Sequence, residues 1–223
     1  MSDPRKHRYG MGRLTAPDPR DQAFPMAGGL PGPETPVRDR PWRLGATLYQ
    51  GETSSCTGHA CAGWLMAEPI RTHSGPSAFE IYAEAQKRDP WKGVIHEGST
   101  VRAAVQYLME TGHIASYLWA WDVETVTDWL LHNGTIIMGT HWYRGMFRPD
   151  AAHIIHVTGP AIGGHAWHLT WFDVTRGLFR MQNSWGEDWE GSDNGKAWIS
   201  GEDLTRLIHE DGECCAPIEL RAK

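Results

Sequence analysis

The chain has 223 residues, 40% of them hydrophobic and 22% charged, and a formal net charge of −6. That length buries a real core, as one domain or as two small lobes sharing an interface. The acidic balance leaves no basic stripe to neutralise phosphates and so argues against a nucleic-acid partner; no run approaches the eighteen or more apolar residues that cross a bilayer.

Residues 1–45 are rich in Pro, Gly and Arg without apolar periodicity, which reads as an extended arm laid on the surface or partly disordered, with packed structure beginning near Leu44. Residues 56–68 form a first helix, with Ala60, Cys61, Trp64 and Leu65 on one face and Pro69 as its stop. Its Gly and Ala residues suit burial on most sides. Ser77 and Glu80 make a capping box for a helix to about Lys87. Ser99 or Thr100 caps another, with Val101, Ala104, Val105 and Leu108 in register and Gly112 ending it. A fourth spans 123–132. Beyond Gly134 the pattern turns to strands at 135–142, 153–158, 165–173 and 178–183, then short ones at 196–200 and 217–220, with a short helix opened by Ser200 and Asp203 between the last two. Helices followed by strands predict an α+β chain with a helical lobe against a sheet lobe.

Cys56 follows Thr53-Ser54-Ser55 and opens the first helix, where backbone N–H groups and the helix dipole favour a thiolate and predict a lowered pKa. A nucleophile needs a base, and the base needs an orienting group. His165, after the turn Gly163-Gly164, starts one strand, and Asn183 ends the next. If those strands pair through the 174–177 turn, His165 and Asn183 become neighbours. The other cysteines, Cys61, Cys214 and Cys215, read as core thiols. Spacing argues against a disulfide framework, so a reducing compartment is the default, and the absence of CxxC pairs argues against structural zinc. His59 reads as structural. His153, His156 and His168 do not share strand faces in a way that binds metal. Asp188, Glu190 and Asp193 read as a solvated loop. Twelve tryptophans point to aromatic packing.

The segments Gln50-x5-Cys56, Ser55-Cys56-Thr57-Gly58-His59-Ala60, Gly163-Gly164-His165-Ala166 and Asn183-Ser184-Trp185-Gly186, the last followed by Trp189 and Asn194-Gly195, resemble in order and spacing the papain-like (C1) cysteine peptidases, in their compact bacterial or phage form. The resemblance covers about residues 44–220. It implies a two-lobe fold with the site in the cleft between a helical lobe at about 50–115 and a β lobe at about 116–223, the arm being 1–45 and the catalytic domain 46–223. It implies Cys56 as nucleophile, His165 as base, Asn183 as the imidazole's orienter, and Gln50 with the Cys56 N–H as oxyanion hole. Trp185 would shield the His–Asn bond, and Ser54, Gly98 and Gly164 would join it in binding substrate. The activity implied is peptide-bond hydrolysis through an acyl-enzyme, with a peptide or protein substrate, no cofactor, no metal, and neither nucleic acid nor membrane as partner.

Thr57 stands where the family has tryptophan, Glu190 where it has glycine, and the usual disulfide cysteines are missing. The 45-residue arm is short for an inhibitory pro-region; either the enzyme is made active or the arm occupies part of the groove. The polar start, with no apolar signal core, points to a cytoplasmic protein, phage association being the alternative. The competing functions are a papain-fold acyltransferase or cell-wall amidase, and a catalytically silent structural relative.

Overall fold

The computed structural model describes residues 9–29, 37–38, 40–72, 74–91 and 93–220; the arm at 1–8, 30–36 and 39 lies outside the described residues. Helix α1 (Cys56–Leu65) is buried along its whole length. Gly58 is required by its neighbour, since a Cβ there would lie 2.1 Å from the Ala78 carbonyl oxygen. It ends before Pro69, because the chain tightens after Leu65, with Ala67 N–H donating to the Trp64 carbonyl at 3.0 Å.

Helix α2 (Ala78–Gln86) is capped by Ser77 Oγ, which accepts the Glu80 N–H at 3.1 Å. Only half of the expected capping box forms, since Glu80 Oε1 accepts the Tyr107 hydroxyl at 2.8 Å instead. Thr100 caps helix α3 (Val101–Glu110), accepting the Ala103 N–H at 3.0 Å. Ser99 is left to donate to Asp89 Oδ2 at 2.9 Å. Helix α4 (Val123–His132) has the expected bounds, with Asp122 accepting the Thr125 N–H at 2.6 Å.

One antiparallel sheet carries the second half. Its strands are β1 (Ser116–Ala120), β2 (Ile136–Tyr143), β3 (Ala161–Asp173), β4 (Leu178–Gln182), β5 (Lys196–Ser200) and β6 (Glu213–Ile218), in the order β1-β6-β2-β3-β4-β5. Helix α5 (Gly201–His209) joins β5 to β6, capped by Ser200 Oγ on the Asp203 N–H at 3.1 Å. β1 has no counterpart in the sequence reading; its ladder partner, β6, lies far along the chain. β6 starts at Glu213 rather than 217, which places Cys214 and Cys215 inside it. Residues 153–158, expected as a strand, make one isolated bridge, Ile154 with Trp198. Backbone pairing stops at Trp198, which accepts the Ile155 N–H and donates to the His153 carbonyl, at 2.8 Å each, and side chains satisfy the flanks. Asp150 accepts the Ala152 and Ile154 N–H groups, while Asp203 and Arg206 hold Val157.

Two apolar cores flank the sheet. One gathers Trp142, Trp167, Phe179 and Met181 with α4 and α5; the other packs α1, α2 and α3 against Ile137, Ala166 and Cys215. Eight of the twelve tryptophans are buried, so packing uses most of them. All four cysteines are free and buried.

The arm is not simply surface-laid, and packed structure begins well before Leu44. Met26 is fully buried in the first core, and the Trp42 indole N–H donates to the Leu130 carbonyl at 2.8 Å. Two apolar anchors so far apart leave no periodic trace in sequence. Among the described residues no helix is long and apolar enough to cross a membrane.

Candidate active site

Cys56 stands at the first turn of α1, and α1 packs on β3. β3 begins at Ala161, so Gly163 and Gly164 are strand rather than turn, and His165 sits inside the strand opposite Thr140 of β2. The expected pairing of β3 with β4 through the 174–177 turn is present, with His168 opposite Gln182. Asn183 follows β4 directly. His165 Nε2 and Asn183 Oδ1 are consequently 2.8 Å apart.

That bond selects a tautomer. The amide oxygen accepts the Nε2–H, which leaves the ring's lone pair on Nδ1. Nδ1 is buried and has no hydrogen-bond partner among the described residues. Trp142, edge-on, and Trp185, tilted, both pack against the imidazole at centroid distances of 4.8 Å, and Trp185 is 1% exposed, so water is kept from the His–Asn bond. The Cys56 sulfur accepts the N–H of Ala166, the peptide that follows His165, at 3.3 Å. The sulfur thus lies against the peptide that follows His165, while His165 Nδ1 makes no hydrogen bond to it.

Gln50 faces the same region. Its Oε1 accepts the Ser184 hydroxyl at 2.5 Å, and its Nε2 donates to the Thr53 carbonyl at 2.8 Å, leaving one amide hydrogen uncommitted. Asn183 Oδ1 also accepts the Ser184 N–H at 2.7 Å. Gln50 and Asn183 are therefore tied together through Ser184, a positioning residue that sequence motifs alone did not single out.

The arm crosses this cleft. Gly10 N–H donates to the Gly51 carbonyl, Gly12 and Arg13 N–H both donate to the Gly164 carbonyl at 3.0 Å, and Ser99 N–H donates to the Gly12 carbonyl at 2.9 Å. Trp185 Nε1–H donates to the Gly10 carbonyl at 2.9 Å. Gly98 has φ +91, and a Cβ there would lie 2.3 Å from the Gly12 oxygen, so only glycine permits this approach. Of the residues assigned to substrate binding, Gly98, Gly164 and Trp185 all touch the arm's backbone. Ser54 presents its carbonyl to Gly12, and its hydroxyl donates to Glu97 at 3.0 Å.

Burial reverses the electrostatics expected for Cys56. Desolvation pushes its thiol up to about 12, outweighing the N–H groups of Ala166, Thr57 and Arg13 that favour a thiolate. Desolvation likewise holds His165 down at about 4 against the Asn183 bond that favours its charged form. Both groups are 0% exposed. In the closed chain the pair is a neutral thiol beside a neutral imidazole. The helix N-terminus is present, but Ser55 makes no side-chain cap; its hydroxyl meets Thr53 Oγ1 at 2.6 Å and His59 Nδ1 at 3.1 Å. His59 is structural here, edge-on to Phe79. His156 pairs with Asp150 and His153 with the Gly191 carbonyl, and His168 is a buried imidazole that desolvation holds down at about 3. Glu190 pairs with Arg148 at 3.1 Å, and Trp189 donates to the Phe147 carbonyl at 2.7 Å. Among the described residues no group of three or more His, Cys, Asp or Glu is placed to hold a metal ion.

Neither a protein-family model nor a curated protein matches the chain. Solved structures do. Xylellain, a cysteine protease from Xylella fastidiosa, is similar at TM-score 0.70 and 18% identity, over 97% of this chain and 99% of that one. The digestive procathepsin L2 proteinase of Tenebrio molitor larval midgut is similar at TM-score 0.69 and 14% identity, over 97% and 81%. The Amb a 11 cysteine protease, a ragweed pollen allergen in its proform, is similar at TM-score 0.60 and 16% identity, over 86% and 69%. The chain has the papain-like cysteine-protease fold, an α+β arrangement of five helices on a six-stranded antiparallel sheet.

Proposed function

We propose that the chain is a papain-type thiol hydrolase of peptide bonds, held closed by its own N-terminal arm. The observation that carries the reading is the 2.8 Å bond from His165 to Asn183 beside a sulfur at a helix N-terminus, in a cleft already filled by an extended backbone. Two of the similar structures are pro-forms by name, which agrees with a closed precursor.

Once the arm leaves, the Cys56 proton passes to His165 Nδ1, the ring nitrogen that Asn183 leaves free. The sulfur adds to the substrate carbonyl carbon, and the imidazolium returns the proton to the departing amine. Water then gives its proton to the same nitrogen, attacks the thioester and releases the acid. The uncommitted Gln50 amide hydrogen and the Cys56 N–H supply the donors for the oxyanion. Gln50→Ala should lower kcat by about 10²–10³-fold with little change in KM, the pattern of a contact made only in the transition state. Steady-state kinetics on the opened enzyme check this.

The test of the reading itself is labelling with an epoxide-type thiol reagent, followed by peptide mapping. Modification of Cys56 ahead of Cys61, Cys214 and Cys215 is expected. Even labelling of all four cysteines, or none at Cys56 after the arm is removed, rules the reading out.

A further inference from the structure

The carbonyl end of the Asn183 amide is doubly held, accepting the His165 Nε2–H at 2.8 Å and the Ser184 N–H at 2.7 Å. Its other end is not. Nδ2 is buried with no hydrogen-bond partner among the described residues, in a side chain of a residue 2% exposed. A buried amide donor in that condition is unfavourable.

Beside Asn183, between α1 and the β3–β4 ladder, lies a small pocket with about 10 Å³ of room for a water's centre, about what one water needs. Its walls include Gln182, Asn183 and Ser184, His59 and Gly63 of α1, and His168 of β3. His168 is 2% exposed, and neither of its ring nitrogens has a hydrogen-bond partner among the described residues. Gln182, opposite it in the ladder, comes close enough to favour the ring's charged form without completing a bond. The Gln182 amide nitrogen donates to the Gly45 carbonyl at 3.4 Å and to Thr47 Oγ1 at 3.2 Å, so toward His168 it offers only an acceptor. A neutral imidazole has one N–H and one lone pair. The N–H therefore belongs on the Gln182 side, and the lone pair is left for another donor. An unpartnered donor and an unpartnered acceptor thus line one pocket the size of a water.

We propose that this pocket is a water site, where one water accepts the Asn183 Nδ2–H and donates to His168, making His168 a positioning residue for the His165–Asn183 pair. With Nδ2 tied, the amide is held from turning away from the imidazole. His168 touches neither substrate nor sulfur. Its bearing on catalysis rests on reading His165 as the base; the water site does not.

Full-length protein tests both parts. A crystal structure of the unmodified chain should show a water peak within about 3.2 Å of Asn183 Nδ2 and of one His168 nitrogen; no peak there overturns the proposal. In solution, NMR on isotope-labelled histidine follows exchange of the His165 Nε2–H with solvent. Gly63→Ala takes the water's room and leaves His168 in place, since its Cβ would lie 3.6 Å from His168 Nδ1, an ordinary contact. Alanine is also favoured over glycine in a helix. That variant should melt no lower than the unmodified chain, yet exchange the His165 proton about tenfold faster, the factor one hydrogen bond supplies. His168→Phe should exchange as fast, and His168→Gln, which keeps an acceptor, should recover most of the difference. Unchanged or slower exchange in Gly63→Ala, or equal exchange in His168→Phe and His168→Gln, reduces the pocket to packing and overturns the positioning role. Should His168→Phe fail to fold, the crystal and Gly63→Ala decide. None of these measurements needs a reactive Cys56, so even labelling of all four cysteines would end the hydrolase reading and leave the water site standing.

Discussion

Deleting residues 1–16 should raise the rate at which iodoacetamide alkylates Cys56 by about a thousandfold at pH 7. In the closed chain the thiol sits at about 12, because burial keeps water from the sulfur. Alkylation needs the thiolate, and a free cysteine at about 8.5 has three to four decades more of it at neutral pH. The helix N-terminus and a newly hydrated His165 push further in the same direction. The sign in pH follows. A neutral thiol titrating at about 12 makes the full-length rate climb through the whole alkaline range, whereas the trimmed chain should level off near or below about pH 8.5. The deletion stops short of Asp18, Asp21 and Met26, so the ion pairs with Arg102 and the Met26 core contact stay. Circular dichroism of the trimmed chain checks that the fold survives. Matching alkylation rates and pH profiles for the two chains would show that the arm does not control the sulfur.

In that trimmed background, Cys56→Ala and His165→Ala should each cost about 10⁶ in kcat, and the double variant should be no slower than either. The reason is that nucleophile and base act as one unit: without Nδ1 to take the proton the sulfur stays a thiol, and without the sulfur the ring has nothing to activate. The residual rate would come from the oxyanion donors and from substrate binding alone. Turnover of a fluorogenic peptide, followed with enough enzyme to detect the residue of activity, makes the comparison. Costs that multiply in the double variant would separate the two residues and dismantle the unit.

Much of the local structure was legible from residue type. Ser77, Ser200 and, of the two candidates Ser99 and Thr100, Thr100 cap the helices they precede, because a short oxygen-bearing side chain finds its acceptor role within three residues. The β3–β4 pairing followed from a turn of a few residues, and with it the approach of His165 to Asn183. These are short-range consequences, and motif order extended them to Cys56 and Gln50.

What the chain order concealed was everything that depends on distant partners. β1 exists because β6 comes back to pair with it, and residues 153–158 pair only at Trp198 while Asp150, Asp203 and Arg206 bond the backbone on either side. Above all, the helix N-terminus predicts an ionised Cys56, a conclusion drawn from one element in water. Only the tertiary structure lays Gly10, Gly12 and Arg13 against Gly51 and Gly164 and buries that sulfur, and the loss of water outweighs the dipole. The pairing of Arg13 with Glu213 spans nearly the whole chain, and no local pattern could have announced it.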